Sequence, residues 1–255
     1  MTRTFLSLLI VLFSAFGMAT TPSRIAVYGG TGTCDGCAED IRDELRNAGY
    51  VVEILNQENV TLENLKKFDL YIQPGGDDVG AVKNALRQSG ATGIHGLEAL
   101  QKYVEDGGNF LGICLGGFLA DSTLEDDHTE NLHLIAAAAK PHSKNPKARL
   151  ENINWSGVDH NLDGKMKIYF QDGPEFRTLS PEPKQGHPVV LAIYNSNESV
   201  AAIMNTYGAG HAMALGVHPE ATDEWFRLDH LKNDKTSVQK GNQVFLKLVE
   251  KLMGH

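Results

Sequence analysis

An apolar segment that ends in a glycine-flanked cysteine is the feature that most restricts how this chain folds. Residues Asn109–Ile113 are mostly apolar, and they lead directly into Cys114-Leu115-Gly116-Gly117. A strand that passes straight into a helix through such a turn needs glycine, because the backbone packs closely there and a Cβ would clash. The pattern is typical of α/β proteins, in which this turn presents a nucleophile at the carboxyl end of a strand.

The rest of the first half alternates apolar strands with helices. Strands are predicted over residues 24–28, 50–55, 70–73 and 109–113, and helices over 34–47, 62–68, 79–89 and 97–106. The helical spacing of apolar residues and the glycines just past the helix ends favour these assignments. Strands and helices that alternate at this spacing predict a mostly parallel sheet in a three-layer α/β fold.

The second half contains more strands than helices. Strands are predicted over residues 132–139, 166–170 and 189–194, a hairpin over 200–207 and 211–217, and a final amphipathic helix over 239–253. The hairpin prediction rests on Gly208-Ala209-Gly210 between two apolar runs. No repeat, low-complexity tract or linker divides the chain, so residues 20–255 are predicted to form a single domain.

Residues 1–19 have the composition of a secretory signal peptide. Arg3 supplies a positive charge, residues 5–16 are almost wholly apolar, and Gly17-Met18-Ala19 offers small residues for cleavage. The apolar run is too short to span a membrane comfortably, although an uncleaved N-terminal anchor is the alternative. We expect a periplasmic or secreted protein with a mature N-terminus near Thr20 and no membrane attachment after cleavage.

The charge of the chain restricts its partners. The formal net charge is −9 at pH 7, and the sequence contains no basic cluster. Nucleic acids and anionic membrane surfaces are therefore poor partners, because both repel an acidic protein. We expect neither of them, and the sequence leaves the oligomeric state open.

Three cysteines are an odd number for an exported protein. Cys34 and Cys37 form a Cys-x-x-Cys pair, and an oxidising compartment favours a disulfide between them. A thioredoxin-type redox pair is the alternative for these two residues. Cys114 is then left as a free thiol, which indicates either a reactive group or a buried structural cysteine.

His218 and Glu220 are the candidate partners of Cys114. The segment His218-Pro219-Glu220 directly follows the predicted hairpin. Histidine can act as the general base for the thiol, and a carboxylate two residues further on can orient the imidazole. Because residues i and i+2 of an extended segment point to the same side, both side chains can face one site.

Two turns supply candidate donors to an oxyanion. The amide of Leu115 directly follows the candidate nucleophile. Gly75 and Gly76 lie just after the strand predicted over 70–73, where glycine lets backbone amides approach a ligand. An ordinary turn without a function is the alternative for these two glycines.

We expect neither a metal nor a cofactor. One run is rich in metal-ligating residues, namely Asp126, Asp127, His128, Glu130 and His133. Its spacing does not match a metal site, so we interpret it as a solvated acidic loop. Three aromatic residues, Tyr169, Phe170 and Phe176, are candidates for the wall of a pocket, although aromatic residues in such positions more often belong to the core.

Taken in order, these segments resemble the class I glutamine amidotransferase-like superfamily and, more narrowly, the family named for the N-terminal domain of biotin-protein ligases. The matching stretches are residues 27–32, 74–77, 103–117, 169–176 and 216–220. The resemblance implies a flavodoxin-like three-layer sandwich with a mostly parallel central sheet. It also implies a Cys–His–Glu triad of Cys114, His218 and Glu220 at the carboxyl edge of that sheet.

These features together predict an exported thiol hydrolase that acts on the C–N bond of a small-molecule or peptide amide through a thioester on Cys114. Many glutamine amidotransferases carry His-Gln after the glycine of this turn, where the present chain has Gly117-Phe118. Glutamine is therefore not implied as the substrate, and without a ligase or synthase domain neither activity is carried over. The alternatives are a γ-glutamyl or other peptide hydrolase, and a binding protein that keeps the pocket without turnover.

Overall fold

The computed structural model of the chain describes residues 22–89, 94–121, 131–232 and 235–254. The predicted signal peptide (residues 1–19) and four residues of the acidic run (Asp126, Asp127, His128 and Glu130) lie outside the described residues. No helix in the described ranges is both long and apolar enough to cross a membrane.

The described part of the chain forms one sheet of eleven strands. In chain order they are β1 (Arg24–Tyr28), β2 (Val51–Leu55), β3 (Leu70–Gln73), β4 (Asn109–Ile113), β5 (Ala137–Pro141), β6 (Arg149–Trp155), β7 (Gly164–Phe170), β8 (Pro174–Thr178), β9 (Val189–Tyr194), β10 (Val200–Tyr207) and β11 (Gly210–Leu215). The order across the sheet is β2-β1-β3-β4-β11-β10-β9-β6-β7, and β8 pairs with both β10 and β5.

Five strands at the centre of the fold, β2, β1, β3, β4 and β11, run parallel to one another. Gln73 pairs with Gly112, and Ile113 pairs with Leu215. This register brings the carboxyl ends of β3, β4 and β11 side by side, which is where ligands bind in open α/β sheets. The loops that carry the candidate site residues all leave from this edge.

The second half of the chain extends the sheet with antiparallel strands. The pairs β10–β11, β10–β9, β10–β8, β9–β6, β6–β7 and β5–β8 are all antiparallel. The predicted hairpin is present as β10 and β11. The parallel centre is therefore as predicted, whereas the antiparallel extension is larger, because β6 and β8 had no predicted counterpart.

The strand predicted over residues 132–139 is largely wrong. Only its last residues belong to a strand, β5. The amides of Leu132 and Leu134 instead donate to the carbonyls of Leu119 and Ala120, at 2.9 and 3.1 Å. A buried apolar loop and a buried strand can have the same composition. The sequence pattern therefore does not distinguish between them.

The helices are α1 (Cys37–Asn47), α2 (Leu62–Leu65), α3 (Val79–Gln88), α4 (Gly96–Glu105), α5 (Leu115–Leu119), α6 (Asp223–Leu228) and α7 (Lys235–Leu252), with a 3₁₀ turn at Gln57–Asn59. The first helix begins three residues later than predicted, because Gly36 adopts a left-handed conformation with φ of 79° that ends the preceding turn. Helix α6 had no predicted counterpart.

The core lies on both faces of the sheet. On β1, Ile25 and Val27 face the side covered by α1 and α7, whereas Ala26 and Tyr28 face the side covered by α2 to α5. This division follows from the two-residue period of a strand, which sends alternate side chains to opposite faces. Helices on both faces of a sheet make the three-layer sandwich that the sequence predicts.

Candidate active site

Cys114 lies at a sharp turn between β4 and α5. Its φ and ψ are 51° and −104°, which is a strained conformation for a residue with a side chain. The turn closes because of the glycines around it: a Cβ on Gly112 would lie 2.1 Å from the carbonyl oxygen of Gly116, and one on Gly116 would lie 2.2 Å from that of Gln73. The structure therefore has the strand–turn–helix arrangement that holds a nucleophile.

His218 and Glu220 lie beside this turn, on the segment that follows β11. Nδ1 of His218 is 2.9 Å from Oε1 of Glu220, and Cys114 is close enough for its charge to raise the pKa of the imidazole. His218 and Glu220 are only 4% and 1% exposed. The three residues that the sequence singles out are thus brought together, with the imidazole between the thiol and the carboxylate.

The surroundings of His218 favour its charged form. Burial by itself would lower the pKa of the imidazole, but the charges of Glu220 and Cys114 and hydrogen bonds to both raise the pKa from 6.5 to about 10. A cationic imidazole next to a sulfur atom stabilises a thiolate. This electrostatic arrangement suits a nucleophilic cysteine.

The backbone of β7 fixes the position of the histidine. The amide of His218 donates to the carbonyl of Tyr169 at 2.9 Å. The thiol of Cys114 also lies 3.5 Å from the carbonyl oxygen of Gln171, to which it can donate. The segment from Tyr169 to Gln171 therefore contacts both members of the pair.

A cleft of about 530 Å³ opens over the three residues. Its walls include Cys34, Cys37, Gly76, Asp77, Cys114, Leu115, Phe118, Tyr169, Gln171, Asp172, His218, Trp225, Leu228 and Asp229. A volume of this size fits a small molecule or the end of a peptide. The disulfide between Cys34 and Cys37 is present, and it forms part of the wall.

The candidate oxyanion donors surround the nucleophile. Gly76 and Leu115 line the cleft. A Cβ placed on Gly75 would lie 3.7 Å from Cβ of Cys114 and 2.8 Å from Cε1 of His218, so a side chain at that position would collide with the histidine. Leu115 is the first residue of α5, where an amide has no acceptor within its own helix and can serve a ligand.

Helix α6 contributes aromatic and acidic side chains that the sequence reasoning missed. The Trp225 ring lies edge-on to the His218 ring at 5.3 Å, and its indole N–H donates to Asp40 at 2.6 Å. Asp229, just after the helix, accepts a hydrogen bond from the hydroxyl of Tyr169. The acidic pair Asp223-Glu224 after Thr222 is a helix-start signal that could have revealed α6 next to the His-Pro-Glu segment.

Only one of the three candidate aromatic residues lies in the cleft wall. Tyr169 lines it, and its ring is 5.8 Å from the ring of His218. Phe170 and Phe176 instead belong to the cores on opposite faces of the sheet. The core interpretation is therefore confirmed for these two residues. Phe170 follows Tyr169 on β7, and successive strand residues alternate in direction.

The charge of the cleft is negative. Asp35, Asp77 and Asp172 are exposed at its rim, and none of them forms an ion pair with any described residue. No lysine or arginine belongs to the described lining. No group of three or more potential metal ligands is arranged to hold an ion within the part of the chain that the structure describes.

The similarities to known proteins agree with this geometry. A family model described as "Biotin-protein ligase, N terminal" matches residues 23–137. Imidazole glycerol phosphate synthase hisHF of Arabidopsis thaliana is 27% identical over 197 residues, which is 74% of this chain and 31% of that protein. The present chain thus matches less than a third of that relative's length.

Two solved structures share the fold. PurLQS from Thermotoga maritima has a TM-score of 0.60 and 18% identity, over 91% of this chain and 100% of the other. A glutamine amidotransferase from the same organism has a TM-score of 0.60 and 14% identity, over 92% and 100%. The chain therefore has the α/β fold of these two proteins, one of which is a glutamine amidotransferase. The biotin-protein ligase N-terminal match covers less than half of the chain, and that part includes Cys114.

Proposed function

We propose that this protein is an exported, cysteine-dependent amide hydrolase, which cleaves the C–N bond of a small-molecule or peptide amide through a thioester on Cys114. The observation that carries the proposal is the convergence of three side chains. A strained cysteine at a strand–helix turn contacts a buried histidine, which a buried glutamate orients. The same arrangement serves nucleophilic catalysis in unrelated folds.

The residues of the site can perform each step. His218 takes the proton of Cys114, and the sulfur attacks the amide carbon, while the amides of Leu115 and Gly76 donate to the oxyanion. The tetrahedral intermediate then collapses to a thioester as His218 gives its proton to the leaving amine. Water, activated by His218, cleaves the thioester and releases the acid. Glu220 keeps Nδ1 of His218 protonated throughout, so that Nε2 serves the thiol.

Gly117 stands where many glutamine amidotransferases carry the histidine of a His-Gln pair, and the structure shows why a larger residue does not fit at this position. A Cβ on Gly117 would lie 2.9 Å from the carbonyl oxygen of Leu215 and 3.1 Å from Cγ of Pro174. The backbone and a proline ring therefore leave no room for a larger residue, while Phe118 supplies an apolar surface to the cleft. We infer a substrate held by apolar contact and by the acidic rim, and not by a glutamine side chain at position 118.

Export is part of the proposal. It is supported by the signal-like composition of residues 1–19 and by the disulfide, which persists best in an oxidising compartment. Expression of the full chain, followed by mass spectrometry of the extracytoplasmic fraction, should recover a form that begins near Thr20. Recovery of an intact Met1 form from the soluble extracytoplasmic fraction would contradict export.

The catalytic proposal is tested with a panel of electrophilic acyl probes of different side chains. We expect covalent labelling of Cys114 alone, loss of labelling in His218→Ala, and turnover of the corresponding amides by the wild type. The control is His211→Ala, which removes a partly buried histidine that pairs with Asn109 at the opposite end of β11. Equal labelling of the wild type and His218→Ala would show that the histidine does not activate the thiol.

A binding protein without turnover is the second candidate. The observation that favours it is the contact between Cys114 and the Gln171 carbonyl, a hydrogen bond that a thiol can donate and that does not lead to turnover. In that case the probes would bind reversibly in the cleft, and the wild type would react no faster than an ordinary thiol. The labelling rates therefore separate the two candidates.

A further inference from the structure

All three cysteines of the chain line the same cleft. Cys34 and Cys37 form the disulfide, with their Cα atoms 5.5 Å apart, and Cys114 is the free cysteine. The disulfide is therefore an electrophile that shares a cavity with the nucleophile. The proposed amide hydrolysis makes no use of it.

Gly75 lies between Cys34 and Cys114, and it has no side chain to fill the space between them. The position that a Cβ on Gly75 would occupy is 3.6 Å from Sγ of Cys34 and 3.7 Å from Cβ of Cys114. The amide of Cys34 donates to the carbonyl of Gly75 at 3.2 Å, which ties the disulfide loop to this point. No atom of Cys37 lies as near to this point, so Sγ of Cys34 is the sulfur of the disulfide that is nearer to Gly75.

The base for a thiol–disulfide reaction is also in place. The same Cβ position lies 2.8 Å from Cε1 of His218, the residue that contacts Cys114. Attack on a disulfide requires a thiolate, and a cationic histidine beside the sulfur provides one. The leaving sulfur must in turn be able to accept a proton, and it lines the same cavity.

We propose that Cys34 is a second covalent partner of Cys114. The Cys114 thiolate attacks Sγ of Cys34, a Cys34–Cys114 bond forms, and the Cys34–Cys37 bond breaks. The electron pair leaves with the sulfur of Cys37, which takes up the proton that His218 removed from Cys114. No external oxidant or reductant is needed, since one disulfide replaces another.

The exchange would mask the nucleophile reversibly. While Cys114 is bonded to Cys34 it cannot form a thioester, and it is also protected from irreversible oxidation to sulfinic or sulfonic acid. Return of the Cys37 thiolate to Cys34 restores the active site. This inference rests on the proposed function in one respect, because both require a reactive thiolate at Cys114.

The first experiment uses a pair of single variants, Cys37→Ser and Cys34→Ser, incubated with oxidised glutathione. In Cys37→Ser, peptide mapping should show a Cys34–Cys114 bond, and labelling of Cys114 by iodoacetamide should fall more than about tenfold until dithiothreitol is added. In the matched Cys34→Ser variant, Cys114 should label as in the wild type, because the sulfur nearer to Gly75 is then absent. Free, rapidly labelled Cys114 in oxidised Cys37→Ser would overturn the proposal.

The second experiment follows the exchange in the wild type. Prolonged incubation with N-ethylmaleimide should place label on Cys37 in a part of the molecules, since the exchange exposes that thiol. Cys114→Ser should show no label on Cys37, because the attacking sulfur is absent. Label on Cys37 in both proteins, or in neither, would count against the exchange.

The two proposals fail in different ways. If Cys114 of the wild type reacts with iodoacetamide like an ordinary thiol, the proposed hydrolase is wrong. If Cys114 reacts fast but never bonds to Cys34 in oxidised Cys37→Ser, the hydrolase stands and the exchange is wrong.

Discussion

Two histidine–glutamate pairs in this protein have the same N···O distance and different surroundings. In the cleft, Nδ1 of His218 is 2.9 Å from Oε1 of Glu220. In the antiparallel extension, Nδ1 of His142 is 2.9 Å from Oε2 of Glu175. Both histidine side chains are 5% exposed, whereas the glutamate side chain is 1% exposed in the cleft pair and 10% exposed in the second pair.

The surroundings of the second pair satisfy it completely. Glu175 also accepts from Lys140 at 3.0 Å, and from Asn197 and Ser199 at 2.7 Å each. The His142 ring stacks on the Tyr194 ring at 3.5 Å. With these partners the carboxylate is compensated and the stacked Tyr194 ring holds the imidazole in place, as expected of a structural pair.

The pair in the cleft is less completely satisfied. Oε2 of Glu220 is buried and has no hydrogen-bond partner among the described residues. The other neighbour of His218 is the sulfur of Cys114, a group that can react. The comparison teaches that a short histidine–glutamate distance is shared by both pairs, and that the sulfur beside the imidazole sets the cleft pair apart.

The largest difference should appear when each histidine is removed. His218→Ala should slow the alkylation of Cys114 at pH 7 by about 100-fold, since a positioned base contributes a factor of 10²–10⁴. His142→Ala, the matched control, should leave the rate within about twofold, because it lies in a separate network. Iodoacetamide labelling followed by peptide mass spectrometry measures both rates, and a similar loss in the two variants would erase the distinction.

Removal of each carboxylate charge should affect a different property, namely thiol reactivity for Glu220 and stability for Glu175. Glu220→Gln should slow Cys114 alkylation by about tenfold, because His218 remains but is less firmly oriented and charged. Glu175→Gln should leave the rate unchanged and lower the free energy of unfolding by about 2 kcal/mol, since Lys140 and His142 lose a buried anionic partner. Urea unfolding and the labelling assay are run on both variants. If Glu175→Gln slowed the labelling of Cys114 as much as Glu220→Gln does, the prediction would be contradicted.

The pH dependence of stability should also separate the pairs. Burial would raise the pKa of Glu175, but the hydrogen bonds from His142, Ser199 and Lys140 lower it from 4.5 to about 2. Its contribution is therefore present above pH 4.5 and is lost as the pH falls through about 2. The pKa of His218 is raised, so its contribution is complete below pH 6.5 and is lost as the pH rises through about 10.

This prediction is measured by urea unfolding across the pH range. The stability difference between the wild type and Glu175→Gln should shrink between pH 4.5 and pH 2, and that between the wild type and His218→Ala should shrink between pH 7 and pH 10. Differences that stay constant across these intervals would mean that neither pair is held in its charged form.

The smallest expected effect comes from the charge around each pair. Lys140 stands beside Glu175, whereas Asp35, Asp77 and Asp172 surround the cleft. Cys114 should react about two- to threefold faster with a cationic methanethiosulfonate than with an anionic one, once each rate is divided by that of an ordinary thiol. Added salt should reduce this ratio, because it screens the charges of the rim. Asp172→Asn, which keeps a residue suited to positive φ, should lower the ratio; an unchanged ratio would show that the rim does not act on the thiol.

The sequence by itself determined the nature of the fold and the chemistry of the nucleophile. The spacing of β1 to β4 and their helices predicted the parallel centre, because local periodicity follows from the geometry of strands and helices. The glycines around Cys114 predicted its turn, because only glycine fits there. The resemblance to amidotransferase-like proteins then assigned His218 and Glu220 as its partners.

Only the tertiary structure decided what surrounds these residues. The antiparallel extension, the place of helix α6 and the meeting of Cys34 with Gly75 and Cys114 all depend on contacts between segments far apart in the chain. The sequence likewise did not indicate that His142 and Glu175, which are 33 positions apart, form a second pair. Local patterns carry the preferences of a few neighbouring residues, whereas packing between distant elements decides which side chains meet and which hydrogen bonds remain unfilled.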